Sequence, residues 1–315
     1  MSETKVITNI GAGTMGHAIA LQFAMNGYNV NLLETSSEAL KRGLKLIEAD
    51  LETFNHAGIL TDFPNQIMAR IHPTTSYELA LNDTEFVIES VVEDMAVKKQ
   101  VWAEVEKYVK PETILATNTS GLDPTEMQAD LDHPERLVVA HFWNPAQLMP
   151  LVEVVPGQQT DQSVVDQTVT RITQIGKHAV PLKKVALGFV GNRIQLAVLR
   201  EALHIVDEGI ATPEAVDEII KTSLGLRWSL VGPIASADLG GLDVFKKISD
   251  YLYADLANQT DGDPLLSKMV AEGHLGLKSG SGFYDWQGDA GQQVVAQRDE
   301  ALLAHLKDDV QPDTK

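Results

Sequence analysis

The N-terminal half of the chain alternates short β-branched runs with stretches of helical periodicity. Val6–Ile10 reads as a buried strand and Asn29–Leu33 as a second. Between them Met15, Ile19 and Phe23 recur every fourth residue. That spacing predicts a helix over Thr14–Asn26 with one apolar face, closed by Gly27 in the left-handed conformation. Further strands are predicted at Phe86–Ile88, Ile114–Ala116, Leu137–Ala140 and Leu151–Val155. Further helices are predicted at Ser37–Ala57 and Ala96–Val109, the latter stopped by Pro111. Strands separated by helices imply βαβ units and a parallel sheet.

Beyond about residue 185 the strand-like runs disappear. Asn192–Glu208 places Leu196, Leu199, Leu203 and Val206 on one helical face. Thr212-Pro213-Glu214 carries a capping hydroxyl, a proline for the first helical position and an acid for the first turn. Leu242–Leu256 and Pro264–Glu272 read as helices, and Ser279–Gly282 as a turn. The fold expected is α/β, a doubly wound parallel sheet over residues 1–186, followed by a second, all-α domain over 187–315. The polar tail after Trp286 is expected to be weakly held.

Composition narrows the function. Hydrophobic residues make up 44% and charged residues 22%, which suits a globular chain. The net charge of −19 argues against a nucleic-acid partner, because phosphate backbones require a basic surface. No apolar run reaches the ~20 residues that span a bilayer. Gly11, Gly13 and Gly16 interrupt the apolar stretch near the start, which lacks a signal-peptide layout. A cytoplasmic protein without a membrane partner is therefore expected. The absence of cysteine excludes disulfides, thiol nucleophiles and Cys-ligated zinc. The histidines show no metal-ligand spacing, so no metal is expected.

Gly11-Ala12-Gly13-Thr14-Met15-Gly16 is a G-x-G-x-x-G between a predicted strand and a predicted helix. Gly11 permits the tight turn, Gly13 lets backbone approach a pyrophosphate, and Gly16 lets the helix pack closely on the strand. The phosphates then meet free N–H groups at the helix start. The second strand runs out at Glu34, where a carboxylate would hold ribose hydroxyls and repel a 2′-phosphate. NAD is the expected cofactor, with no Arg or Lys directly after Glu34 to suit NADP. FAD, or a glycine turn that merely closes a sheet, are the alternatives.

In doubly wound sheets ligands bind beyond the C-terminal strand ends. Ser120 follows one predicted strand and His141 ends another. Glu153 sits inside the apolar run Leu151–Val155 and needs a partner if buried. The segment from His141 to Pro145 returns beside it in hairpin fashion, so the imidazole is the natural partner. A histidine held by a carboxylate can serve as a general base, although a strand-end histidine can also be purely structural.

The ordered set GAGTMGHAIA (11–20), IESVVED (88–94), ATNTSGL (116–122), HFWNPAQLMPLVEV (141–154), GFVGNR (188–193), GPIASADLGGLD (232–243) and LKSGSGFY (277–284) resembles the L-3-hydroxyacyl-CoA dehydrogenase family. That resemblance implies a Rossmann-like N-terminal domain and a helical C-terminal domain that forms a homodimer. It implies His141 as the histidine that moves a proton, Glu153 as its orienting acid, and Ser120 and Asn192 as substrate-contacting groups. It implies cofactor contacts at Gly11, Gly13, Thr14, Met15, Gly16, Glu34, Glu93, Lys98, Asn118, Ser120, Asn144 and Lys278. The activity implied is oxidation of the 3-hydroxyl of a short (3S)-3-hydroxyacyl-CoA with NAD, and its reverse.

Some positions depart from that pattern. Gly121 follows Ser120 where CoA-using relatives commonly have a second serine, and Leu187 stands where proline is common. Residues 46–69 contain no Lys or Arg to meet CoA phosphates, leaving Lys41, Arg42, Lys45 and Arg70. The stretch from Gly225 to Pro233, with Arg227, is similar to relatives acting on free 3-hydroxy acids such as L-gulonate or carnitine. A dehydrogenase of a small free 3-hydroxy acid is thus the alternative, and a non-catalytic NAD-binding protein a third reading.

Overall fold

The computed structural model describes residues 5–310. The chain divides into two compact units. The first runs to Asn192 and resumes from Arg298; the second is Arg193–Gln297.

The first unit is a Rossmann-like, doubly wound α/β layer. Its strands are β1 (Val6–Ile10), β2 (Asn29–Leu33), β3 (Ile71–Thr74), β4 (Phe86–Glu89), β5 (Ile114–Thr117), β6 (Leu137–Phe142), β7 (Leu151–Pro156) and β8 (His178–Pro181). They form one sheet in the order β3-β2-β1-β4-β5-β6-β7-β8. All neighbouring pairs are parallel except β6 and β7, which are antiparallel. The central strands are buried throughout, which is why they read as apolar runs rather than alternating ones. Helices α1 (Gly16–Met25), α2 (Ser37–Ala57), α3 (Pro64–Met68), α4 (Tyr77–Leu81), α5 (Met95–Val105), α6 (Pro124–Gln128) and α7 (Gln162–Gln174) cover the sheet. The Ser36 hydroxyl caps α2 by accepting from the Ala39 N–H, and Gly58 ends it at φ 71°.

Two strands escaped the sequence reading. β3 carries Pro73, and β8 is short and largely exposed. Both lie at the edges of the sheet, where an apolar run is not needed and proline is tolerated.

The second unit contains α9 (Pro213–Thr222), α10 (Leu224–Val231), α11 (Pro233–Gly240), α12 (Leu242–Leu252) and α13 (Pro264–Ala271), after α8 (Gly191–Asp207) leads into it. Thr212 caps α9 through the Ala215 N–H, as its spacing predicts. Its described residues hold isolated bridges around Ser281 but no strand. Leu224–Gly240, not predicted as helix, forms α10 and α11, started and stopped around Gly232 and Pro233.

The tail after Trp286 corrects an expectation. It forms α14 (Ala290–Val310), and Leu302 and Leu303 pack on the core of the first unit. Two adjacent leucines in a tract of good helix formers hold it there, and its polar average hid them. Among the described residues no helix is long and apolar enough to cross a membrane.

Candidate active site

The glycine turn lies between β1 and α1, with two of its glycines sterically confined and one facing open space. Gly11 has φ +96°, and a Cβ there would come 2.7 Å from the Ser90 carbonyl oxygen. A Cβ on Gly16 would lie 2.0 Å from the Gly11 carbonyl oxygen, so the helix can approach only as glycine. A Cβ on Gly13 would meet nothing within 4 Å, so the turn is open to a ligand at that point. Thr14 and Met15 complete the turn into α1. Glu34, just beyond β2, accepts from the Ala12 N–H at 2.9 Å and from the Thr35 N–H and hydroxyl. Burial pushes this carboxyl up, but the Ala12 and Thr35 hydrogen bonds and the nearby Arg42 charge outweigh it and hold it below its ordinary value.

Within the paired strands β6 and β7 the structure brings His141 and Glu153 together. The two are directly opposed in the antiparallel register, and Nδ1 of His141 lies 3.0 Å from Oε2 of Glu153. Oε2 also accepts the Trp143 indole N–H at 3.3 Å, while Oε1 accepts the N–H groups of Val190 and Gly191 at 3.0 and 3.1 Å. A buried carboxylate thus meets four donors. Burial alone raises the Glu153 carboxyl; the His141 bond and the Gly191 and Val190 amides more than reverse this and leave it below 4.5. The His141 ring packs between Trp143 and Phe189, each with ring centres 5.6 Å away.

The Gly188–Gly191 segment explains how those amides reach Glu153. Gly188 and Phe189 are both left-handed, at φ 73° and 52°. Phe189 is fully buried, so packing holds a backbone conformation that costs a bulky residue about 1–3 kcal/mol. Gly191 lies under the Trp143 indole, 2.1 Å from where a Cβ would stand. Trp143 and Phe189 were not picked out as site residues. Their only sequence signal was their position inside the HFWN and GFVG segments.

A second cluster gathers beyond β4 and β5. Lys98, buried on α5, pairs with Glu89 Oε1 at 2.7 Å and with Glu93 Oε2 at 3.4 Å. Glu93 accepts from the Thr119 hydroxyl and the Ser120 N–H at 2.6 and 2.8 Å. Glu89 was missed because it ends an apolar strand and looks like the start of a surface turn. The structure buries it fully, with Thr117 and Val91 as further donors. Burial of Lys98 and its Glu89 contact make the Glu93–Lys98 pair part of an inward network. Ser120 is exposed, and its carbonyl accepts from Asn192 Nδ2 at 2.9 Å. Asn118 Oδ1 accepts the Phe142 N–H at 2.8 Å, tying β5 to β6.

Asn144 is exposed in the β6–β7 connection. Lys177 pins that connection by donating to the carbonyls of Ala146 and Met149 at 2.8 and 2.9 Å. Burial pulls its amine down to about 7 from 10.5. Because the unfolded chain keeps the proton between these two values, stability gains with rising pH in that window, by up to about 1.4 kcal/mol per pH unit. Denaturant titrations should show this gain in the native protein and a flatter slope in Lys177→Met; equal slopes would remove the assignment.

Lys278 and Arg227 lie in the second unit, both exposed. Lys278 lines a pocket of about 520 Å³ with Phe283, Tyr284 and Trp286. Of the cations left for CoA phosphates, Arg70 is engaged by Asp62 and by the Ala24 carbonyl.

Comparison with known proteins gives this geometry a family. The NAD-binding-domain model of 3-hydroxyacyl-CoA dehydrogenase matches residues 6–185, and the C-terminal-domain model of the same enzymes matches 188–286. The chain belongs to the 3-hydroxyacyl-CoA dehydrogenase family. It is 38% identical to a probable 3-hydroxybutyryl-CoA dehydrogenase of Deinococcus radiodurans over 278 residues, covering 88% of this chain and 98% of that one. It is 32% identical to the 5-formyl-3-hydroxy-2-methylpyridine 4-carboxylate 5-dehydrogenase of Mesorhizobium japonicum, covering 95% and 96%. A crystal structure of a dehydrogenase with that same substrate name, described as an NAD+-dependent dismutase, superposes with a TM-score of 0.90 at 30% identity, covering 98% and 99%. The chain is therefore an NAD-dependent oxidoreductase of this family. The open turn at Gly13 suits the cofactor's pyrophosphate, since a side chain there would fill the space the phosphates need.

Proposed function

We propose that the protein oxidises a hydroxyl at C3 of a small carboxylic acid to the ketone, and catalyses the reverse, with His141 as general base. The observation that carries this reading is the His141–Glu153 contact: Nδ1 donates to the carboxylate, which leaves Nε2 as the nitrogen to take the hydroxyl proton. NAD, when bound, supplies the hydride acceptor. Glu153 fixes the tautomer and stabilises the imidazolium that forms. Ser120 and Asn192, linked through the Ser120 carbonyl, align the hydroxyl. Glu34 holds the adenine-side ribose, and Gly11, Gly13, Thr14, Met15 and Gly16 the pyrophosphate. Glu93, Lys98, Asn118 and Asn144 complete the cofactor contacts of the first unit.

Two observations favour a free acid over a CoA ester. Residues 46–69 carry no Lys or Arg, and Arg70 is already engaged, so a polyanionic CoA would meet an acidic chain. The likeness to the pyridine carboxylate dehydrogenase covers 98% of the chain and so takes in α14, whereas the family's C-terminal model ends at 286. A short-chain (3S)-3-hydroxyacyl-CoA is the second reading, favoured by the identity to 3-hydroxybutyryl-CoA dehydrogenases.

NADH absorbance with acetoacetyl-CoA and a panel of free 3-hydroxy acids separates the two. Turnover of acids with an inert CoA ester is expected, and the opposite result selects the second reading. Glu34→Ala should weaken NAD binding by about tenfold and narrow the gap to NADP, since the ribose hydroxyls lose a charged acceptor. An unchanged cofactor preference would refute the ribose assignment.

A homodimer belongs to the same proposal. The second unit exposes the large apolar side chains Ile194, Leu196, Leu230, Ile234, Leu239 and Leu242, which a second copy would cover. Sedimentation should give twice the monomer mass. A cytoplasmic location is supported by the absence of cysteine.

A further inference from the structure

The glycine turn carries a second set of contacts, through His17 on the first turn of α1. The His17 ring is buried. Its Nδ1 lies 2.7 Å from the Gly13 carbonyl oxygen, which also accepts the His17 backbone N–H at 3.1 Å. Its Nε2 lies 3.3 Å from Oδ2 of Asp50, on α2. Both ring nitrogens face oxygens that only accept. A neutral imidazole has one N–H and can serve one of them; the imidazolium serves both. Asp50 Oδ2 is buried and receives no aligned hydrogen bond, so its compensation is the charge on the ring. Its other oxygen accepts from Gln147 Nε2 at 3.2 Å, in the β6–β7 connection that follows His141.

Charge at this point matters because the turn and the rest of α1 supply none of their own. Residues 11–25 contain no Lys or Arg, and Glu34 adds a carboxylate against the Ala12 N–H. Of the elements packed on α1, α2 brings Asp50 to the ring and also carries Glu38, Lys41, Arg42, Lys45, Glu48, Glu52 and His56, with the Arg42 charge near Glu34, and β3 brings the exposed His72. β1, β2 and α3 bring no ionisable side chain. Lys177 is held one step away, on the carbonyls around Gln147.

We infer that His17 is a cationic positioning residue for the pyrophosphate of NAD, kept charged by Asp50 and braced against the Gly13 carbonyl. The imidazolium holds the turn in its binding conformation and places a positive charge behind it. Asp50, through Gln147, ties that turn to the connection carrying Asn144.

The test is binding, measured apart from turnover. NADH dissociation constants are taken by fluorescence from about pH 6 to pH 9, with adenosine as the phosphate-free control. Wild-type affinity for NADH should fall about 3- to 10-fold as pH rises, the size of a charge effect at a helix start. His17→Asn keeps a donor for Gly13 but no charge, and should hold the weak value at every pH while binding adenosine normally. Asp50→Asn should move the fall to lower pH. Flat wild-type affinity overturns the inference without any variant. So does a His17→Asn protein that matches wild type across the range, or one that loses NADH and adenosine equally. An unmoved transition in Asp50→Asn overturns the role of Asp50.

Discussion

His141→Gln lowers turnover by at least ~10²-fold and leaves the NADH dissociation constant within about twofold of wild type. The amide can still donate toward Glu153, so the four-donor arrangement around that carboxylate loses little. It cannot accept and carry a proton, so the chemical step loses its base. The glycine turn and Glu34 lie on other strands and do not sense the change. Single-turnover absorbance and NADH fluorescence together check this. Near-native turnover would refute the role of His141, and a parallel loss of NADH binding would turn it into a structural residue.

The second large effect is expected at Glu153. In Glu153→Gln the carboxamide offers one acceptor oxygen where four N–H groups now share two. Whichever way it turns, two donors face an NH2 group. Turnover should fall by about 10²-fold or more, because His141 loses the partner that fixes its tautomer and stabilises its charged form. Stability should fall as well, by about 3–5 kcal/mol, the cost of breaking a buried charged contact. The pH dependence tells this apart from ordinary packing loss. Glu153 titrates below its ordinary 4.5 in the folded state. Its contribution is therefore fully present above that value and is lost as pH falls through the folded one. The gap between wild type and variant, read from urea titrations, should shrink as pH falls below 4.5 and through the lower folded-state value. A gap that stays constant as pH falls through that range would show that the ionised carboxylate contributes nothing.

The elements around the glycine turn were the most legible. The strand, glycine turn and helix over 6–25 follow from periodicity and from three glycines, of which Gly11 and Gly16 are sterically confined in the structure and Gly13 faces open space. The expectation that Glu153 needs a partner came from one principle, that a lone carboxylate does not survive among valines. Its other donors were not legible. The Val190 and Gly191 amides reach it only because Gly188 and Phe189 turn left-handed, and nothing in the local sequence announces that Phe189 does so. Glu89 is the clearest omission. Polar and terminal in β4, it reads as a surface residue, yet Lys98 arrives from α5 to bury it.

The sequence by itself determined the alternation of strands and helices, the dinucleotide turn and the candidate groups for moving a proton, because these depend on residue type and short-range spacing. The hairpin return of the sequence already paired His141 with Glu153; the tertiary structure decided the meetings it did not announce: the Val190 and Gly191 amides with Glu153, Lys98 with Glu89, His17 with Asp50, and α14 with the first unit's core. Each such meeting joins residues on separate elements, and their distance is set by sheet order and helix packing rather than by position along the chain.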